Sequence, residues 1–126
     1  MFNQAFAEPD RPRPSDDYMQ ALLADPKFIA LAAIVDGAVI GGIAAYELVK
    51  YEAERSEIYI YDLAVAELFR RRGVATALIE ALKPIALQRR AWMMFVQADL
   101  VDEPAVALYR KLGREEQVLH FDIAPA

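Results

Sequence analysis

The sequence predicts an α+β fold with a mixed central β-sheet flanked by helices. Asp36-Gly37 lies between two apolar runs and is a strong signal for a β-hairpin, which pairs two strands antiparallel. Residues 57–98 have the pattern strand, helix, strand, which implies a parallel pair joined by a right-handed crossover. Together the two units combine antiparallel and parallel pairing in one sheet.

The N-terminal segment is predicted to be loosely ordered over residues 1–15, because Pro9, Pro12 and Pro14 interrupt any regular element there. The folded domain then spans residues 16–123. Ser15 is a good N-cap for a helix over residues 16–24, with two aspartates in its first turn. The side chains of this helix that we expect to face the core are Tyr18, Leu22 and, as a further candidate, Met19.

The hairpin follows directly. Phe28–Val35 is a continuous apolar run typical of a buried strand, and residues 38–49 form its partner. Gly41-Gly42 inside the second strand indicates a bulge or a close backbone contact.

The second half alternates strands and helices. Residues 57–65 are rich in β-branched and aromatic side chains, which suit a pleated sheet. A helical stripe is formed by Val74, Leu78, Leu82 and Ile85. The predicted elements after the first of these strands are a helix over residues 73–90, a strand over 92–98, a helix over 104–112 and a last strand over 118–123.

Composition limits the function. The chain has 126 residues, of which 56% are apolar and 26% charged, as expected for one globular domain. It has no cysteine and one histidine, so a thiolate nucleophile and a multi-histidine metal centre are both excluded, and we expect no metal. The net charge of −5 argues against nucleic acid and favours a cationic partner. No membrane association is expected, and a cytoplasmic location is the default.

One basic turn stands out on this acidic chain. Arg70-Arg71-Arg72-Gly73 follows a strand and precedes a helix, so backbone N–H groups at the helix N-terminus, together with the arginines, would attract an anion. Glycine allows a phosphate to approach the backbone closely. The alternative is an ordinary solvated arginine cluster. The turn lacks the Gly-Lys-Ser/Thr of a P-loop and two of the three glycines of the dinucleotide fingerprint.

Two segments resemble a known family. Arg70-x-x-Gly73-x-Ala75, after a strand that ends Asp62-Leu63-Ala64-Val65, is similar to the acetyl-CoA motif of the GNAT N-acetyltransferases. Ala105-x-x-Leu108-Tyr109-x-Lys111-x-Gly113 resembles their second shared segment. The resemblance implies the GNAT fold, with acetyl-CoA as co-substrate and a pyrophosphate at the basic turn.

A closer resemblance covers roughly residues 16–123. The segments RSEIYIYDLAV (55–65), ATALI (75–79), VQAD (96–99), PAVALY (104–109), HFDI (120–123) and FIALAA (28–33) are similar to the type I aminoglycoside 3-N-acetyltransferases, also called the gentamicin and fortimicin acetyltransferases. These enzymes acetylate the 3-amino group of the deoxystreptamine ring in gentamicin-like antibiotics and so confer antibiotic resistance. The resemblance therefore implies a polycationic aminoglycoside as the acceptor.

The resemblance assigns roles to individual residues. Asp62 would hold the acceptor ammonium and take its proton, since it is a charged residue in an otherwise apolar strand. Its alternative roles are an exposed strand residue or a partner for the arginines. Tyr109 would protonate or steady the departing thiolate, or it is a core aromatic that contacts CoA. The residues expected to bind acetyl-CoA are Leu63, Ala64, Val65, Arg70, Arg71, Arg72, Gly73, Val74, Ala75, Thr76, Ala105 and Tyr109.

The acceptor side is expected to be acidic. Besides Asp62, the substrate-binding candidates are Asp99, Asp102 and Glu103, whose carboxylates repel one another unless a cation joins them. The alternative is a solvated acidic loop that caps the next helix. His120 and Asp122 alternate with Phe121 and are expected either to face the acceptor cleft or to be structural.

The chain departs from the family pattern at three places. Asp102 stands where many members have asparagine, and Arg114 stands where an aromatic usually follows the glycine. The family's first strand and most of its first helix are expected to be missing, because only a short proline-spaced segment precedes Ser15. The hairpin strand Phe28–Val35 would then have an open edge, so we expect a homodimer that covers this edge or completes the sheet.

Three functions are consistent with these features. The first is an aminoglycoside 3-N-acetyltransferase that works by direct attack in a ternary complex. The second is a GNAT enzyme that acetylates polyamines or other small amines. The third is an acetyl-CoA-binding protein without catalysis.

Overall fold

The computed structural model describes residues 12–126. The strands are β1 (Phe28–Val35), β2 (Ala38–Val49), β3 (Ser56–Val65) and β4 (Ala91–Val96). The helices are α1 (Asp16–Ala24), α2 (Val74–Gln88) and α3 (Glu103–Leu112), with a short 3-10 helix at Glu67–Phe69. The strands form one sheet in the order β1-β2-β3-β4. The first three strands are antiparallel and β4 is parallel to β3, so the predicted mixed α+β sheet flanked by helices is confirmed.

The hairpin turn has the backbone conformation that its sequence predicts. Asp36 and Gly37 both have positive φ, at 49° and 79°. Two left-handed residues in a two-residue turn match the right-handed twist of the strands. The Gly41-Gly42 signal is also confirmed, because the β1–β2 register shifts next to Gly41 and leaves Ile40 as an extra residue on β2.

The core lies between the sheet and α2. The apolar stripe of α2 packs on side chains from β1, β2 and β3. The largest fully buried side chains are Ile43, Ile58 and Leu82. Replacing a buried leucine by alanine removes apolar contact and leaves a cavity, at a cost of about 2–5 kcal/mol. At its C-terminal end α2 is tied to β2, since the Arg89 guanidinium donates to Glu47 Oε1 at 2.8 Å and to the backbone carbonyl of Pro26.

The first helix is attached more loosely than predicted. Ser15 caps it, with its hydroxyl oxygen accepting from the Tyr18 backbone N–H at 3.1 Å. Leu22 is half-buried, but Tyr18 is 64% and Met19 37% exposed, so the expectation that these two face the core is wrong. The reason is that α1 packs against the edge strand β1 and does not reach the sheet centre. The expectation for residues 1–11 lies outside the described residues.

The prediction of a last strand is also wrong. Residues 118–123 alternate as a strand would, yet residues 114–126 form no regular element. Val118, Leu119, Phe121 and Ile123 are 65–87% exposed. Alternation describes which side chains share a face, but a strand exists only where another backbone pairs with it, and within residues 12–126 no strand pairs with this segment.

Candidate active site

β3 continues beyond the end of its parallel neighbour. The β3–β4 pairing stops at Ile60 opposite Val96, whereas pairing with β2 continues to Val65 opposite Gly41. On the side of β4, the backbone N–H and C=O groups of residues 61–65 therefore pair with no strand of the described chain. Unpaired strand edges bind extended ligands as an added strand would. We refer to residues 61–65 as the open edge of β3.

A bulge lies at the start of this open edge. The β2–β3 register moves from Ala45 opposite Ile60 to Ala44 opposite Asp62, which leaves Tyr61 as an extra residue. Ile60 belongs to the core cluster and Leu63 packs against it, so two residues lie between consecutive core-facing positions where a regular strand has one. The bulge thereby places Tyr61 and Asp62 together on the sheet face opposite α2.

That face carries a continuous set of ring contacts across all four strands. Phe28, Tyr46, Tyr59 and Phe95 occupy matching register positions on β1, β2, β3 and β4. Ring centroids are 5.2 Å apart for Phe28–Tyr46, and Tyr59 stacks on Phe95 at 4.7 Å with a 7° interplanar angle. Tyr61 packs edge-on against both Tyr46 and Tyr59, at 5.7 and 5.8 Å. We call these five residues the aromatic row.

The carboxyl group of Asp62 lies at this aromatic surface. Burial raises its pKa above the usual value for aspartate, since desolvation disfavours the charged form. The same carboxylate helps raise the pKa of Tyr46 and of Tyr59, after the larger effects of burial and of Tyr61. A carboxylate with a raised pKa accepts protons more readily near neutral pH, which suits a general base.

The basic turn offers free donors. Gly73 has φ 79° and is the N-cap of α2 with no side-chain cap bond, and Arg71 also has positive φ, at 62°. The first intrahelical bond is donated by Ala77 to the Gly73 carbonyl at 2.9 Å, so the N–H groups of the first three residues of α2 have no intrahelical acceptor. Left-handed residues next to a helix N-terminus form a concave cluster of N–H groups that suits an anion.

The arginines of the turn differ in their contacts. Arg70 donates from Nε to the carbonyl of Val65 at 2.9 Å, which links the turn to the open edge of β3. Arg72 lies over the Phe69 ring, with Cζ 5.5 Å from the centroid. The basic turn therefore adjoins the open edge of β3 directly.

Tyr109 and Asp102 form a second polar group. Tyr109 is half-buried on α3, and its pKa is raised by burial and, to a smaller extent, by the Asp102 carboxylate. Asp102 caps α3, accepting from the Ala105 N–H at 3.3 Å. Asp99 is tied to the same loop through its carbonyl, which accepts from the Asp102 N–H at 3.0 Å.

The predicted site residues with mutual contacts thus fall into two groups. Residues 61–65 and the basic turn after them are contiguous, and the Asp62 carboxylate in this group helps raise the pKa of Tyr46 and of Tyr59. In the second group, the Asp102 carboxylate helps raise the pKa of Tyr109. Asp99 and Glu103 are exposed. His120 pairs with Asp122 at 2.8 Å on the exposed tail. Within the described part of the chain, no three His, Asp or Glu side chains are grouped closely enough to hold a metal ion.

Sequence reasoning missed the whole aromatic row. None of its five residues was a site candidate, although the alternation in Tyr59-x-Tyr61 signals two rings on one face. The bulge has no comparable signal, because it is defined by which residues on β2 oppose β3.

No helix among residues 12–126 is long and apolar enough to cross a bilayer.

This fold is that of a known enzyme family. Residues 1–113 match the model of the acetyltransferase (GNAT) family, and the chain belongs to that family, whose donor is acetyl-CoA. It is 56% identical to an aminoglycoside acetyltransferase from an uncultured soil metagenomic sample, with a TM-score of 0.93 over 99% of this chain and 86% of the other.

Two further relatives differ in their acceptors. A second soil metagenomic aminoglycoside acetyltransferase, solved in complex with sisomicin, is 32% identical, with a TM-score of 0.93 over 99% of this chain and 84% of that one. The L-amino acid N-acetyltransferase AaaT of Escherichia coli (strain K12) is 30% identical over 109 residues, or 82% of this chain. The chain spans 64% of the length of that relative.

Proposed function

We propose that this protein transfers an acetyl group from acetyl-CoA to the 3-amino group of 2-deoxystreptamine aminoglycosides such as gentamicin, and thereby confers resistance. The observation that carries the proposal is the open edge of β3, which the basic turn connects to the N-terminus of α2, where no side chain caps the helix. The acidic net charge and the similarity to two aminoglycoside acetyltransferases support a polycationic acceptor.

The residues present fit acetyl-CoA. Backbone groups of Leu63 and Val65 would pair with the pantetheine amides as a missing strand does. The N–H groups from Arg71 to Thr76 would hold the pyrophosphate, with the guanidinium groups of Arg70 and Arg72 as charge partners. Ala105 and Tyr109 on α3 would flank the thiol end.

The chemistry requires the acceptor nitrogen to lose two protons and the thiolate to gain one. The acceptor ammonium first loses a proton to the Asp62 carboxylate, directly or through water, because only the neutral amine has a lone pair. That lone pair then forms the N–C bond while the C–S bond of the thioester breaks. The nitrogen loses its second proton to water as the amide forms, and the thiolate takes a proton from Tyr109, which is reprotonated by water, or from water directly. Asp99, Asp102 and Glu103 would hold the remaining ammonium groups of the drug. No covalent enzyme adduct is required.

A polyamine acceptor is the alternative that the same acidic surface allows, and the proposal is tested against it directly. Thiol release from acetyl-CoA is measured with gentamicin, with spermidine and without acceptor, for the wild type, Asp62→Asn and the exposed charge control Glu116→Gln. We expect gentamicin-dependent turnover that falls about 10²- to 10⁴-fold in Asp62→Asn and is kept in Glu116→Gln. NMR of the product identifies the acetylated amine.

Each other outcome contradicts a stated part of the proposal. Turnover with spermidine and none with gentamicin moves the acceptor class to polyamines. Acetylation at an amine other than the 3-amino group overturns the regiochemistry. Acetyl-CoA binding without turnover on either amine supports a non-catalytic binding protein.

A further inference from the structure

We propose that the aromatic row is the surface on which the acceptor's amino-sugar rings lie, and that Tyr61 is its specificity-determining residue. The inference rests on the proposed function, because it concerns the acceptor of that reaction. It goes further by assigning the recognition of the rings to aromatic side chains, whereas the carboxylates recognise the ammonium groups.

The row has the position that an acceptor surface requires. It lies on the sheet face opposite α2, and the bulge presents Tyr61 and Asp62 on that same face. Asp62 is at the start of the open edge of β3, where the thioester would lie. An acceptor that rests on Tyr61 therefore has an amine beside the proposed base and the donor at once.

The row is held in place before any ligand binds. The Tyr59 hydroxyl is 2.7 Å from Gln97 Oε1 and its ring stacks on Phe95, so both ends of Tyr59 are fixed. Tyr61 packs edge-on against Tyr59 and Tyr46, yet it is 61% exposed and presents ring surface to solvent. A preorganised surface loses little entropy when a ligand binds.

The chemistry of the row selects its ligand. Aromatic faces attract cations through the ring quadrupole and pack against saturated rings. Because four strands lie about 4.8 Å apart, the row extends about 14 Å across the sheet, which is more than the diameter of a single six-membered ring. With Asp62 beside it, the row suits a multi-ring ligand that carries several ammonium groups. A linear polyamine has the charges but no ring face.

The test separates ring recognition from charge recognition. Tyr61→Leu removes the aromatic ring, Tyr61→Phe keeps the ring and removes the hydroxyl, and Tyr51→Leu makes the same change at a fully exposed tyrosine in the β2–β3 connection. The wild type and the three variants are compared in KM and kcat for gentamicin, in spermidine turnover, and in calorimetric gentamicin binding to the CoA complex. Circular dichroism checks that each variant is folded, which exposure at position 61 favours.

We expect Tyr61→Leu to raise the KM and the Kd for gentamicin by about 5- to 30-fold, with kcat changed less than KM. Tyr61→Phe and Tyr51→Leu should stay within about twofold of the wild type, and the KM for acetyl-CoA should be unchanged.

Three results would overturn the inference. An unchanged gentamicin KM in Tyr61→Leu contradicts it while leaving the proposed function intact. An equal rise in KM for gentamicin and spermidine means that the row is a general cation surface. If wild-type protein neither binds nor acetylates gentamicin, the proposed function and the inference both fail.

Discussion

The backbone of Gly41 on β2 runs so close to Ala64 on β3 that a Cβ atom at position 41 would lie 3.1 Å from the Ala64 carbonyl oxygen. The same Cβ would lie 3.1 Å from Cγ1 of Val74, the first residue of α2. Gly41 thus lets two strands and the helix N-terminus meet at one point. Because the basic turn begins this helix, the contact fixes the position of the turn relative to the open edge of β3.

The first prediction follows from this contact. Gly41→Ala should lower the free energy of unfolding by about 1–3 kcal/mol, since the added methyl group has no room between sheet and helix. Gly113→Ala is the control, because its nearest neighbour would be at an ordinary 3.7 Å. Urea unfolding of both variants measures the difference. Equal stability of the two would show that the sheet and α2 move apart at little cost.

The second prediction concerns the turn itself. Gly73 and Gly37 both have φ 79°, and an alanine methyl group at either position would have no atom within 4 Å. The only cost of alanine is therefore the strain of a left-handed backbone, which should be equal at both sites and about 1–2 kcal/mol. Only Gly73→Ala should also raise the KM for acetyl-CoA, because it changes the direction of the N–H groups at the α2 N-terminus. An equal KM for the two variants would exclude the turn as the pyrophosphate site.

The third prediction uses the pH dependence of stability. The folded-state pKa of Asp62 is raised by burial, so the protonated carboxyl favours folding and this contribution is lost as the pH rises through the raised pKa. Asp62→Asn is neutral at every pH. The variant should therefore be more stable than the wild type at pH 7 and equal to it near pH 3, which thermal unfolding at both values measures. A variant less stable at pH 7 would indicate that the charge has a stabilising partner.

The fourth prediction concerns Tyr109. Burial and Asp102 raise its pKa above the usual value for tyrosine, so the phenol stays protonated throughout the neutral range. Tyr109→Phe should lower kcat by about 10- to 100-fold, by the same factor at every pH between 7 and 9, if one hydrogen bond to the departing thiolate is lost. An unchanged kcat would leave Tyr109 as a packing residue only.

The fifth prediction is the homodimer. β1 is an edge strand of the described sheet, and Ile34 on it is 63% exposed. Light scattering at micromolar concentration should give twice the chain mass. Ile34→Lys should lower that mass, because charge on an edge opposes pairing with another edge. A monomeric mass for the wild type contradicts the prediction.

The sequence predicted most of the elements, and the reason is local. Ser15 starts a helix by capping it and Asp36-Gly37 forms a turn by its backbone conformation, and both effects depend on residues only a few positions away. The α1, β1 and β2 bounds agree with the structure for this reason. The strand expected at residues 118–123 failed because pairing depends on a distant partner.

The candidate site divides in the same way. The basic turn was visible as a motif, since Arg70 to Ala75 are consecutive. The aromatic row depends on the β1–β2, β2–β3 and β3–β4 registers acting together, and the bulge at Tyr61 depends on the β2–β3 register alone. Neither can be read from one strand's own sequence.

β3 pairs with β2 for five residues beyond the point where its pairing with β4 ends. We expect this open edge also to affect the lifetime of the protein in a cell. A donor that occupies the open edge completes the sheet, and any ligand that binds only the folded state shifts the unfolding equilibrium towards that state. Proteases that cleave opened chains then have fewer targets. We therefore expect the lifetime of this protein to follow the acetyl-CoA supply, so that starved cells lose it faster than well-fed ones.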